Sequence, residues 1–123
     1  MLKGWEDMGS LPNFIDENFI GVYALSRNGL NVHYIGRSFS KLIKMIEREA
    51  SDPYLFFAYE YTLSDVYAYR LECKYYHECK PPDNTSHPVE PEGSNLLCPV
   101  KTCRRNRKHI LLYGNKEKTN IHS

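Results

Sequence analysis

Four residues in the second half of the chain have the types and spacing of a metal centre. Cys73 and His77 stand four apart, which on a helix places both side chains on one face. Cys98 and Cys103 bracket a short loop, Cys98-Pro99-Val100-Lys101-Thr102-Cys103. Three thiolates and one imidazole form the tetrahedral Cys₃His set that holds structural zinc. Cys79 and His87 compete for places in that set, so the four ligands stay open, and metal-free buried thiols are the alternative. Glu72 points about 100° away from Cys73 on the same helix. Its hard-oxygen carboxylate suits magnesium or manganese rather than zinc.

A second pattern lies upstream. Gly21-Val22-Tyr23 and Tyr34-Ile35-Gly36 fall on two neighbouring strand-like segments, with ten residues between them. Gly-aromatic tripeptides carry no weight singly. This pair, in this order, is followed by helical, extended and again helical patterns, then by Glu72 and Lys80-Pro81-Pro82-Asp83-Asn84. In this the chain resembles the GIY-YIG endonucleases over residues 20 to 84, and by extension to 103.

The resemblance implies hydrolysis of phosphodiester bonds in DNA, with RNA as an open alternative, assisted by Mg²⁺ or Mn²⁺ on Glu72. It implies Tyr23 as the base for the attacking water and Tyr34 as a proton relay or hydrogen-bond donor beside it. Asn84 would support the site. A tyrosine can take that role where positive charge pulls its pKa down. Packing explains the other tyrosines, such as Tyr54, Tyr59, Tyr61, Tyr67, Tyr69, Tyr75 and Tyr76.

The chain departs from the pattern at one position. The family places an arginine on the first helix about eight residues after the second motif, where its planar fork grips a phosphate. Lys44 stands there. Lysine keeps the charge without the bidentate geometry, so Arg37 or Arg48 must supply the guanidinium if one is needed. Lys41, Lys44, Arg37 and Arg48 together give that helix a basic side that could lie on nucleic acid, beside the plainer reading of a solvated face with Glu47 and Glu49.

The elements that must position these residues follow from periodicity. Phe19 to Leu25 and Asn31 to Ile35 are rich in aromatic and β-branched residues, with a turn signal at Arg27-Asn28-Gly29, and predict a hairpin. Leu42, Ile43 and Ile46 recur at helical spacing, with Ser38 or Ser40 as cap and Asp52-Pro53 as stop. Tyr54 to Tyr61 has strand length and composition. Ser64 opens a second helix reaching about Cys79, where Pro81-Pro82 stops it. Residues 81 to 95 are rich in proline and glycine and predict an irregular loop held by something other than a core. The order β-β-α-β-α predicts an α/β (α+β) sandwich built on a small three-stranded sheet with flanking helices.

At 123 residues, with 41% hydrophobic and 25% charged residues, the chain fits one globular domain, assigned to residues 1 to 103. The net charge of +1 conceals an asymmetry: residues 104 to 123 hold six of the 16 lysines and arginines and one of the 15 acidic residues. Arg104, Arg105, Arg107 and Lys108 open this basic tail, suited either to phosphate contact or to simple solvation. His33, His109 and His122 receive no role. The acidic residues Glu6, Asp7, Asp16 and Glu17 break up the first 19 residues, leaving no apolar run of leader or membrane-span length. The expectation is a cytoplasmic protein with reduced cysteines, no membrane partner, and a monomeric or homodimeric state, since so small a chain needs a second copy or a partner to read sequence.

Overall fold

The computed structural model describes residues 2 to 106. The central strand β2 (Gly21–Ser26) is buried along its whole length, because antiparallel neighbours flank it and side chains cover both its faces. β3 (Tyr34–Gly36) pairs on one side and β4 (Phe56–Tyr61) on the other. A two-residue strand, β1 (Glu6–Asp7), pairs with the far side of β4, giving the order β1-β4-β2-β3. The sheet therefore has four strands rather than the three expected. β1 was missed because two residues carry no periodicity and are held only by pairing with β4.

Alternation along β2 separates two cores. Tyr23 and Leu25 point to one face with Phe57, Tyr59 and Tyr34, where α1 (Phe39–Arg48) contributes Leu42 and Met45, and Leu11 and Ile15 close the cluster. Val22 and Ala24 point to the other, with Ile35, Ala58 and Tyr75 of α2 (Asp65–Cys79). The expected sandwich is thus present, one helix per face.

Both helix starts and the end of α2 follow the sequence signals, whereas α1 ends at Arg48, before the expected stop at Asp52-Pro53. The Ser38 hydroxyl accepts from the Lys41 N–H, and the Ser64 hydroxyl from the Tyr67 N–H, each satisfying a donor that the first helical turn leaves free. Lys80 ends α2 in the left-handed region at φ 47°, and Pro81 and Pro82 prevent its continuation.

The hairpin differs in detail. β3 begins at Tyr34, three residues later than predicted. The intervening residues form a loop shaped by the Asn28 side chain, whose Oδ1 accepts from Leu30 and Asn31 N–H groups, and by Gly29 at φ +71°. His33, which the sequence left without a role, pins the loop: its Nδ1 accepts from the Arg27 N–H at 3.1 Å. Among the described residues no helix is long and apolar enough to cross a membrane.

Candidate active site and metal centre

The register of the hairpin sets the motif residues against one another. Tyr23 pairs with Gly36 and Leu25 with Tyr34, so the two tyrosines are diagonal neighbours on one face. Their rings stack with centroids 6.2 Å apart. Both motif glycines are required by close approach. A Cβ at Gly36 would overlap the Tyr23 hydroxyl and ring, and one at Gly21 would overlap the Glu60 carbonyl oxygen.

Glu72 is the one buried carboxylate among the described residues. Arg37, the residue after the second motif, donates from Nη1 to its Oε1 at 2.6 Å. The same guanidinium bonds Asp65 at 3.3 Å through Nε and the Val89 carbonyl at 2.5 Å through Nη2. These contacts hold the fork of Arg37 in place with little freedom. A cavity of about 110 Å³ opens on Glu72 between Arg37, Ser38, Lys41 and Val89. Beyond Lys41 lies a second, of about 170 Å³, lined among others by Tyr34, Arg48 and Asn84.

Electrostatics in this region favour the neutral forms of its acids. Burial pushes the Glu72 carboxyl above its ordinary value, against the pull of Arg37 and Lys41. Burial likewise pushes Tyr34 up to about 12, with the Glu72 charge adding to it and Arg48 opposing. Tyr23 is raised well above 10.0 by burial, then by Tyr34 and Glu72, and its hydroxyl has no hydrogen-bond partner among the described residues. Burial and the Glu72 charge thus act against the lowered tyrosine pKa that a base would need.

Most of the predicted residues converge. Tyr23, Tyr34, Arg37, Arg48 and Glu72 border one region, although Arg37 and Glu72 are 35 positions apart. Asn84, which lines the second cavity, also supports the strand: its Oδ1 accepts from the Ile35 N–H and its Nδ2 donates to the Ile35 carbonyl, both at 2.9 Å, which holds the middle of β3. Lys44 does not join them. It is exposed and lines neither cavity, whereas Lys41, one turn earlier, lines both. The sequence pattern had placed Lys41 only on the general basic face, because the angle at which α1 docks is not a property of its own residues. Asp83 was also passed over. It takes Arg27 Nη1 and the Tyr54 hydroxyl at 2.6 Å each, locking the start of the loop to the hairpin.

As a divalent-cation site the cavity on Glu72 offers a single carboxylate. Oε1 of Glu72 belongs to Arg37, and Oε2 makes no hydrogen bond among the described residues. A hard cation that keeps most of its waters fits one such oxygen; Asp65, engaged by Arg37 and largely exposed, adds little.

The cysteine and histidine residues make a separate group. His77, His87, Cys98 and Cys103 each bring one ligand atom to within 4.8 Å of the other three, a grouping that could hold a metal ion and is compatible with structural zinc. The expected Cys73 is not among the four, and His87, named only as a competitor, is. Cys73 is fully buried against Cys98, deeper in the contact between α2 and the loop, while Cys79 is exposed. Of the basic tail, Arg105 is engaged by Glu90 and the Pro88 carbonyl. Arg107, Lys108, His109 and His122 lie outside the described residues.

No protein-family model, no curated protein and no solved structure matches this chain.

Proposed function

We propose that the chain is a divalent-metal-dependent endonuclease of the GIY-YIG kind that hydrolyses phosphodiester bonds in DNA. The observation that carries this reading is the buried Glu72. It is paired with Arg37 and close enough to the stacked Tyr23 and Tyr34 to raise both phenols. A buried carboxylate beside cations and a cavity is a costly arrangement for stability alone, and perturbed groups of this type cluster at functional sites.

Arg37, Lys41 and Arg48 would receive the phosphate, their charges offsetting the negative charge that grows as water adds to phosphorus. Glu72 would hold Mg²⁺ or Mn²⁺, which supplies further charge stabilisation when bound. Tyr34 stands at the cavity edge with its proton in place and donates a hydrogen bond to a phosphate oxygen. Tyr23 lies buried behind it; to act as the base it would first have to lose its proton to solvent, which a cation held by Glu72 would favour, and its phenolate would then take the proton of the attacking water.

Incubation of purified protein with supercoiled plasmid and Mg²⁺ or Mn²⁺ tests the proposal. Cleavage by the native chain, lost in Tyr23→Phe and Glu72→Ala, is expected. Absence of cleavage across salt conditions and across duplex, branched, single-stranded and RNA substrates, together with salt-dependent binding, would mark a module that contacts nucleic acid without cutting it.

A further inference from the structure

We propose that His77, His87, Cys98 and Cys103 bind one structural zinc ion, which fastens the irregular segment after Pro81 onto the last turn of α2. A tetrahedral zinc with ordinary bond lengths requires ligand edges of roughly 3.3 Å between two nitrogens and about 3.5 Å between nitrogen and sulfur. The Nε2 atoms of His77 and His87 lie 3.3 Å apart, and His87 Nε2 lies 3.4 Å from Cys103 Sγ. Two of the ligand edges thus have the spacing a metal would impose, and Cys98 Sγ lies within 4.8 Å of the other three ligand atoms.

The surroundings support a built site. His87 Nδ1 lies 2.8 Å from the Pro88 carbonyl, the outer contact that orients a ligating imidazole and leaves Nε2 for the metal. Arg105 shares that carbonyl and comes within 3.1 Å of the same Nδ1, so one acceptor gathers both donors. The two-cysteine loop is shaped in advance. Asn106 accepts from the Cys98 N–H at 2.9 Å and donates to the Cys98 and Val100 carbonyls, and the Cys103 N–H bonds Val100 at 3.0 Å. The first part of the segment is held by polar contacts, Asp83 to Arg27, Asn84 to Ile35 and Val89 to Arg37, and its far end by a small apolar cluster in which Leu96, Cys98, Val100 and Cys103 meet Tyr69 and Cys73 of α2. A metal cross-link between His77 and the two-cysteine loop would reinforce that small cluster. Because Val89 helps hold Arg37 against Glu72, zinc would also steady the proposed nuclease site, a consequence that rests on the reading above while the zinc site does not.

Metal analysis of the full chain, purified without chelator, should find one equivalent of zinc. Cobalt exchanged for it should show thiolate charge-transfer and tetrahedral visible absorption. His87→Ala should lose the metal and Cys73→Ser should keep it. Retention by His87→Ala with loss in Cys73→Ser would overturn this ligand set in favour of three thiolates. Failure of the native chain to take up either zinc or cobalt would overturn the site altogether, and needs no variant to fold. Limited proteolysis between residues 85 and 105 should accelerate at least tenfold on chelation; unchanged cleavage would remove the anchoring role. Bound zinc without nuclease activity would leave this proposal standing and sink the other.

Discussion

The hydroxyl of Tyr23 lies where a side chain on Gly36 would begin. This contact ties the first motif to the last residue of the second, since the ring of Tyr23 is fully buried and cannot swing away. Gly36→Ala should therefore destabilise the fold by about 1–3 kcal/mol, the usual cost of overpacking. In a Tyr23→Leu background the same change should cost markedly less. Urea denaturation of the four variants gives the coupling directly, and additive effects would refute the contact.

Glu72 sets an acid limit on activity. Its carboxyl titrates above the ordinary 4.5 because burial outweighs the attraction of Arg37 and Lys41. If cleavage needs the ionised form, kcat/KM should fall with decreasing pH from above the usual carboxylate range. Arg37→Gln removes the largest opposing charge, so the surviving activity should show its acid limb at still higher pH. For stability the sign is the reverse of an ordinary ion pair: the folded-state pKa exceeds the unfolded one, so this group's contribution weakens as pH rises through that interval. A limb that moves down in Arg37→Gln would show that a different group titrates.

Asp83 behaves in the opposite sense. Burial pushes its carboxyl up, but the hydrogen bonds from Tyr54 and Arg27 more than compensate and hold it below 3.8. Its stabilising effect is complete above the unfolded pKa and disappears as pH falls through the folded one. Asp83→Asn should cost about 1.5–3 kcal/mol at neutral pH, the range for hydrogen bonds to charged groups. The penalty should shrink in acid, as thermal or urea midpoints across the pH range will register; a penalty independent of pH would assign the loss to packing.

Lys41 and Lys44 can be told apart by kinetics. Lys41 lines both cavities and Lys44 neither. Lys41→Ala should lower kcat/KM by roughly 10- to 100-fold, equivalent to one charged hydrogen bond to phosphate, and Lys44→Ala should change it little. Equal losses in the two variants would point to diffuse attraction along the helix face.

The parts of this arrangement that were legible in the sequence are those fixed by near neighbours. Ser38 and Ser64 announce their helices because a cap acts on N–H groups two or three residues away. Pro81 and Pro82 stop α2 through their own rings. Tyr23, Tyr34 and Glu72 could be chosen because their motifs are local, and Arg37 because it follows one of them. What escaped depends on how elements meet. β1 exists only through β4. Lys41 rather than Lys44 faces the site because of the way α1 lies on the sheet. His87 rather than Cys73 completes the metal-ligating group because an aperiodic segment folds back on α2, and no spacing rule follows such a path.

The pairing of Asn84 with Ile35 reaches beyond the site it supports. Open sheets expose rows of unpaired backbone groups along their outer strands, and these can template growth by other chains into fibrils. β1 offers only two residues for such pairing. β3 offers three, and the amide of Asn84 already occupies the middle one. The β3 margin is thereby shortened as a place for another copy to pair, while on the opposite side β1 covers Phe56 and Phe57 of β4. A primary amide thus serves as a one-residue strand, and through it the fold discourages its own polymerisation.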